Sequence, residues 1–214
     1  MTQDEYYPAS LEIEYPDREL DRITTFLRPI VIIPIGIVLG LLNGPAMHGS
    51  RDRAAGDDDP TFHLASVGVV FLPTVLMLLF RRKYPRWWFD WNLELTRFSI
   101  RCASYLALLR DEYPSTDEEQ AVYLDIEYPE ARELSRWLPL VKWLLAIPHY
   151  IILFFLNVAA FLAVIVAWFA ILLTGRYPRG LFDFVEGVFR WDNRVIGYVL
   201  ALVTDPYPPL RLVE

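Results

Sequence analysis

The hydrophobic and polar positions along this chain follow a pattern that occurs twice. A short segment that alternates apolar and acidic residues and ends at Tyr-Pro covers 11–15 in the first half and 122–128 in the second. Such alternation predicts a β-strand. Each half continues with a long apolar region and then with a mixed apolar and charged stretch that follows a proline. The pattern predicts two tandem copies of one unit.

The apolar regions predict membrane-spanning helices. In the first half they cover about 26–43 and 64–80, and in the second half about 138–156 and 158–174. A spanning helix needs roughly 17–25 apolar residues, so four spans are expected, arranged as two hairpins. Only Asn157 offers a turn between 138 and 174, and for that stretch a single long tilted helix or a re-entrant hairpin remains open.

The mixed stretches over 86–109 and 179–203 predict two further helices. Pro85 and Pro178 precede them, and proline suits the start of a helix. Charged residues recur at steps of three and four with aromatic residues beside them, which favours amphipathic helices lying in the membrane interface. A soluble helix packed on a neighbouring element is the alternative.

The expected fold is therefore a mainly α membrane protein with two tandem parallel repeats. Each repeat contains a short strand, a two-span transmembrane hairpin and an amphipathic interfacial helix. The two strands, with a C-terminal strand over 210–213, could pair into a small cytoplasmic β-sheet. The expected boundaries are a polar N-terminal tail over 1–9, repeat one over 10–114 with an external loop over 44–63, a linker over 115–121, and repeat two over 122–214.

Repeated residues set the correspondence between the two halves. An offset of 113 or 114 pairs Tyr15 with Tyr128 and Arg28 with Lys142. Beyond the apolar regions the offset falls to 93 or 94, since the second half lacks the polar loop. The pairs there are Tyr84 and Tyr177, Arg97 and Arg190, Arg101 and Arg194, Tyr105 and Tyr198, and Asp111 and Asp205.

Charge and cysteine content exclude some classes of function and predict how the protein is oriented in the membrane. The net charge of -7 disfavours nucleic-acid binding, which depends on Lys and Arg. The single cysteine, Cys102, excludes an internal disulfide and a Cys-rich metal site. Of the 20 Lys and Arg residues, only Arg51 and Arg53 lie in the external loop. Since cytoplasmic loops are rich in Lys and Arg, both termini are expected in the cytoplasm and the protein in the cytoplasmic (inner) membrane.

Several motifs in the second half resemble those of a known family. They are Arg-Trp-Leu-Pro-Leu-Val-Lys-Trp-Leu-Leu-Ala-Ile-Pro-His-Tyr over 136–150, Thr-Gly-Arg-Tyr-Pro-Arg-Gly over 174–180, Arg190-Trp191, and Thr-Asp-Pro-Tyr-Pro-Pro over 204–209. In order and spacing the segment 124–212 resembles a bacterial membrane family, domain-of-unknown-function family 4389. The first half departs from these motifs, with Ile35 in place of His149. The resemblance implies a bacterial integral membrane protein and implies no activity.

Seven arginines are candidate ligands for a lipid headgroup or another phosphate, because the planar guanidinium suits phosphate oxygens. They are expected near one another at the cytoplasmic interface. Snorkelling anchors, or ion pairs with neighbouring carboxylates, would explain the same residues without a ligand. The seven candidates are Arg86, Arg97, Arg101, Arg176, Arg179, Arg190 and Arg194.

Lys142, His149 and Asn157 form a second candidate set, an intramembrane polar site. An ionisable residue deep in a membrane is by default a functional hypothesis. Snorkelling of Lys142, and a hydrogen bond from neutral His149 to a carbonyl freed by Pro148, are the simpler alternatives. The sequence offers no catalytic set, no metal ligands and no cofactor motif.

Together these features favour a non-enzymatic integral membrane protein, a scaffold or accessory subunit. It is expected to bind anionic membrane lipid or a protein partner at the cytoplasmic interface, with a homo-oligomer also open and nucleic acid excluded. A small oligomeric transporter or channel is one alternative, although short spans with few polar residues offer little material for a pathway. A lipid-headgroup-modifying membrane enzyme is the other, although no nucleophile with its base is present.

Overall fold

A computed structural model describes residues 7–16, 19–43, 74–77, 80, 84–116, 118, 120–129, 138–199, 202 and 204–212. The fold is mostly helical, with one small sheet. In chain order the elements are β1 (Ala9–Ile13), α1 (Arg22–Val31), α2 (Ile33–Asn43), α3 (Arg86–Leu106), β2 (Val122–Ile126), α4 (Leu138–Leu145), α5 (Ile147–Thr174) and α6 (Arg179–Val199).

The two strands pair antiparallel, with Leu11 opposite Leu124 at the centre. Their alternating sequences explain the pairing, because every second side chain is apolar and buried while Glu12 and Tyr123 lie on the exposed face. The expected pairing of these two strands is therefore observed. The expected third strand is not, since residues 210–212 form no strand.

The sheet lies between two long helices that come from opposite halves of the sequence. β1 packs against α6, and β2 packs against α3. Leu11, Leu124 and Phe182 are buried together in the main apolar core, which also receives part of α5. Each strand is thus covered by the helix of the other half, so the sheet and the two helices cannot be separated into two independent halves.

The prediction of four transmembrane spans, arranged as a hairpin in each of two repeats, is wrong. Among the described residues one helix, α5, is long and apolar enough to cross a membrane: it has 28 residues, and its most apolar stretch of 18 residues has a mean hydropathy of 2.7. A second candidate exists only if α1 and Ile33–Leu39, which are bent by 41°, are counted as one broken span. The eight residues of α4 are too few to cross.

The expected turn at Asn157 does not form, and this is why the second half lacks a hairpin. Asn157 lies inside α5, where its Nδ2 donates to Leu153 O at 3.0 Å and to Asp192 on α6. These bonds satisfy the amide within a continuous helix, so its turn preference is not expressed. A single helix over the whole of 138–174 is not observed either, because α4 ends at Leu145 and α5 begins at Ile147 after a break at Ala146.

The remaining expected segments fall in three places. The span over 26–43 is divided between α1 and α2 at Ile32. The external loop over 44–63 and most of the span over 64–80 lie outside the described residues. Helices α3 and α6 occupy most of 86–109 and 179–203, and each begins directly after its proline, Pro85 or Pro178.

The strand register can be tested with a disulfide. In a Cys102→Ser background, Glu12→Cys with Tyr123→Cys is expected to form a disulfide on mild oxidation, because these positions are register partners and paired Cα atoms lie about 4.5–5.5 Å apart. The measurement is the oxidised fraction by mass spectrometry. Glu12→Cys with Glu127→Cys, four residues out of register, is the control. Equal oxidation of the two pairs would refute the register.

Candidate functional site

Two arginines hold the outer edges of the sheet, and we call Arg97 and Arg190 the edge arginines. Arg190 Nε donates to Leu11 O at 2.9 Å, and Arg97 Nε donates to Leu124 O at 3.0 Å. Because Leu11 and Leu124 are register partners, the two bonds reach the same level of the sheet from opposite sides. They satisfy edge carbonyls that no neighbouring strand pairs.

Each edge arginine is itself oriented by a glutamate on its own helix. Arg190 pairs with Glu186 at 2.8 Å, and Arg97 pairs with Glu94 at 2.6 Å. Glu186 Oε1 also accepts the backbone N–H of Ile13 at 3.0 Å. Helix α6 therefore offers β1 both a donor and an acceptor, much as a neighbouring strand would.

Two tyrosines that follow the strands form hydrogen bonds with the residues that precede the long helices. Tyr15 donates to the carbonyl of Tyr177, and Tyr128 donates to the carbonyl of Tyr84. A second pair of arginines covers these rings. Arg179 Cζ lies 4.7 Å from the Tyr15 ring centroid, and Arg86 Cζ lies 5.5 Å from that of Tyr128, both within cation–π range.

Arg28 forms a buried cation site at the C-terminal end of α3. Its side chain is 1 % exposed, pairs with Asp111, and donates from Nη1 to the carbonyls of Tyr105 and Arg110, both at 3.0 Å. The guanidinium carbon also lies 4.5 Å from the Tyr105 ring centroid. The chain turns at Leu108, which has a positive φ of 65°, and the Arg110 carbonyl and Asp111 that follow meet the cation. The charge is thus compensated inside the protein.

Lys142 forms a second buried cation site with the same kinds of partner. Its Nζ donates to Thr204 O at 2.6 Å, pairs with Asp205 at 2.8 Å, and lies 4.9 Å from the Tyr198 ring centroid. A residue with positive φ, Leu202, precedes Thr204 and Asp205, as Leu108 precedes Arg110 and Asp111 in the first site. Burial lowers the pKa of Lys142, and Asp205 opposes that shift.

His149 lies in the first turn of α5 and is fully buried. Its Nδ1 accepts a hydrogen bond from Trp191 Nε1 at 3.0 Å, so the proton of a neutral ring is on Nε2. That Nε2 is buried and has no hydrogen-bond partner among the described residues. The ring also packs against Tyr207, with centroids 4.7 Å apart. His149 is therefore close to a helix end, not halfway along a span that begins at Leu138.

Asn157 contacts a carboxylate on α6. Its Nδ2 lies 3.0 Å and 3.3 Å from the two oxygens of Asp192. Burial raises the pKa of Asp192 above its ordinary value, and the hydrogen bond from Asn157 works in the opposite direction. The pair links the middle of α5 to α6, and among the described residues the hydrogen-bond partners of Asn157 are Leu153 and Asp192, not His149 or Lys142.

The seven candidate arginines do not converge on one site. Arg101 donates to Ser115 O at 2.8 Å, and Arg194 donates to Arg211 O at 3.1 Å. Arg176 is open to solvent, with a side chain 74 % exposed and a loose pair with Glu19 at 3.6 Å. Four of the seven bond to backbone carbonyls within the protein, namely Arg97, Arg101, Arg190 and Arg194. Lipid or phosphate binding by the set stays a prediction.

The described residues show little else that resembles a reactive centre. No group of three His, Cys, Asp or Glu in that part of the chain could hold a metal ion. Burial raises the pKa of the Cys102 thiol to about 11, so it is protonated at neutral pH and a poor nucleophile. Sequence reasoning missed Arg28, Asp111 and Asp205 as site residues, although their recurrence at aligned positions was a signal.

The comparisons with known proteins agree with the resemblance seen in the sequence. Residues 136–210 match the model of the family described as Domain of unknown function (DUF4389), which confirms the predicted relationship for that segment. The match covers about a third of the chain and includes Lys142, His149 and Asp192. Neither the curated proteins nor the solved structures gave a match.

The second buried cation site can be tested through its carboxylate. Asp205→Asn is expected to lower the free energy of unfolding by about 3 kcal/mol, because the charge of Lys142 then stays buried without a counter-ion. Urea unfolding in detergent measures the change. Asp183→Asn, at an exposed position on α6, is the matched control and should change stability by less than about 0.5 kcal/mol. A loss of the same size in both variants would contradict the site.

The pH dependence of stability tests Asp192. Because its folded pKa is raised above 3.8, the stability that it contributes is fully present below about pH 3.8 and is lost as the pH rises through the folded pKa. Asp192→Asn is therefore expected to weaken the pH dependence of unfolding in that window and to be more stable than the native chain at neutral pH. The same pH profile for both proteins would refute this explanation.

Proposed function

We propose that this protein is a non-enzymatic, membrane-integral scaffold or accessory subunit that binds anionic lipid headgroups beside the end of α5. The observation that carries the proposal is the position of exposed arginines directly after a long helix whose outer face is apolar and open. The lipid would fix the position and tilt of α5, and the sheet with its covering helices would be available to a protein partner.

The surface of α5 supports membrane insertion. Only 22 % of its most apolar 18-residue window is buried, whereas the core helix of a soluble protein would be mostly covered. The buried stripe carries small residues, Ala160, Ala163 and Ala167, which allow close packing. The opposite face carries large exposed residues, including Phe154, Phe155, Phe161, Phe169 and Leu173. An open apolar surface of this kind is suited to lipid.

The end of α5 supports a headgroup site. Gly175 closes the helix with a φ of 74°, in the left-handed region that glycine favours. Arg176 and Arg179 follow at once and are exposed. The ion pair of Arg176 with Glu19 is long and solvated, so it costs little to exchange for a phosphate. Basic residues beside the end of a span attract anionic lipid and favour the cytoplasmic side.

The positions of the other cations support a scaffold over an enzyme. The edge arginines bond to the strands, and Arg28 and Lys142 are neutralised by carboxylates within the protein. A catalytic cation would need an open face toward its substrate. These side chains instead join helices and strands, which is an architectural role.

The headgroup proposal is tested by lipid retention. The protein is reconstituted in nanodiscs that contain zwitterionic and anionic phospholipid, and native mass spectrometry measures the anionic fraction that stays bound. Arg176→Gln with Arg179→Gln is expected to lower that enrichment roughly thirtyfold, from about 1 kcal/mol for each of the two basic residues. Arg211→Gln, an exposed arginine beyond the end of α6, should leave it unchanged. Undiminished enrichment in the double variant would overturn the proposal.

A further inference from the structure

A cavity of about 210 Å³ lies between α1, α5 and the end of α3. Its lining is mostly apolar and includes Leu106, Leu108, Val164 and Trp168. An apolar cavity of about 150 Å³ can hold benzene, so this one has room for a ring or for part of a hydrocarbon chain. It is separate from Arg176 and Arg179, which do not line it.

Two buried polar side chains, Thr25 and Arg28, also line the cavity. They lie three residues apart on α1 and therefore on one face of that helix. Thr25 Oγ1 and Arg28 Nε are buried and have no hydrogen-bond partner among the described residues. Buried groups of this kind are costly to leave unpaired, so the cavity offers two unused donors within an apolar lining.

A proline in α1 explains why one backbone hydrogen bond of this helix is missing beside the cavity. Pro29 has no N–H to donate to the carbonyl of Thr25, four residues earlier. Trp168 Nε1 on α5 donates to that carbonyl instead, at 3.3 Å. The proline thus removes a backbone bond, and the indole that replaces it forms one wall of the cavity.

The charge balance defines the ligand. The Nη atoms of Arg28 are already held by Asp111 and two carbonyls, so the guanidinium charge is compensated, and Nε is the guanidinium nitrogen that has no hydrogen-bond partner among the described residues. A carboxylate or phosphate in the cavity would add an unbalanced charge beside Asp111. An uncharged oxygen that accepts from Nε–H and from the Thr25 hydroxyl fits without that penalty.

We propose that this cavity binds an uncharged lipid ester, with the ester carbonyl oxygen on Thr25 and Arg28 and the hydrocarbon chain among Leu106, Val164 and Trp168. The proposal is independent of the headgroup site, because it concerns different residues and a neutral ligand. The cavity would be a specific site for a neutral lipid, whereas the exposed apolar face of α5 contacts lipid chains without selectivity.

The test uses a photoreactive probe, methyl decanoate with a diazirine on its chain, added to the full-length protein in nanodiscs. Labelled peptides are identified by mass spectrometry, and labelling is competed with unlabelled methyl decanoate, decane or decanoate. We expect labels at the end of α3 and on α5 around Val164. Methyl decanoate should compete about tenfold or more better than decane, which is the effect of two added hydrogen bonds, and decanoate should compete less well than the ester.

Variants separate the polar from the apolar part of the site. Thr25→Val, nearly isosteric, should lower the preference for the ester over decane about threefold to tenfold, because one of the two donors is lost and Arg28 Nε–H remains, and Thr25→Ser should keep it in full. Val164→Phe should fill the cavity and abolish labelling of these peptides, whereas Leu173→Phe, on the exposed face of α5, should not. Equal competition by ester and alkane in the native protein, stronger competition by decanoate, or labelling that survives Val164→Phe would each overturn the proposal.

Discussion

The central constraint in this structure is the pairing of two five-residue strands from distant parts of the chain. A two-stranded sheet alone is barely stable in water, because it has little apolar area to bury and both of its edges are open. Here both edges are closed by arginines from the long helices, and the apolar face lies in the core. Since each strand is covered by the helix of the other half, forming the sheet also brings α3 and α6 together.

The buried cations also connect distant parts of the chain, at the ends of the helices. Arg28 on α1 binds the chain that leaves α3, and Lys142 on α4 binds the chain that leaves α6. Burying an ion pair costs desolvation, so such pairs add less stability than their contacts imply. Their geometric demands are strict, however, and each cation needs two or more specific partners. They fix where α1 and α4 end relative to the long helices.

How much could be predicted from the sequence depended on whether the signal was local. The alternation around Leu11 and Leu124 predicted both strands, and the prolines at 85 and 178 predicted where α3 and α6 begin. The hairpin failed because the turn preference of Asn157 was outweighed by a partner 35 residues away, Asp192, which no local pattern reveals. The recurrence of tyrosines and aspartates was visible, but whether they meet Arg28 and Lys142 is a tertiary property.

The proposed ligands correspond to three surfaces of different chemistry. The outer face of α5 is apolar, the chain just after it is basic, and the cavity beside Arg28 presents two donors without adding net charge. Anionic headgroups, lipid chains and a neutral ester are the ligands that suit these surfaces. The candidate arginines divide accordingly, because Arg97 and Arg190 bond from the helices to the strands, whereas Arg176 and Arg179 after α5 are exposed.

Hydrogen exchange in Arg190→Met tests most directly whether the strand pair joins the two halves. If the sheet joins the two halves, amide exchange becomes faster in β1, which loses one of its two bonds with α6, and also in β2 and α3, which touch the arginine only through the sheet. Arg211→Met serves as the control and should leave all three elements protected. Faster exchange confined to β1 and α6, with β2 and α3 as protected as in the native chain, would contradict the account.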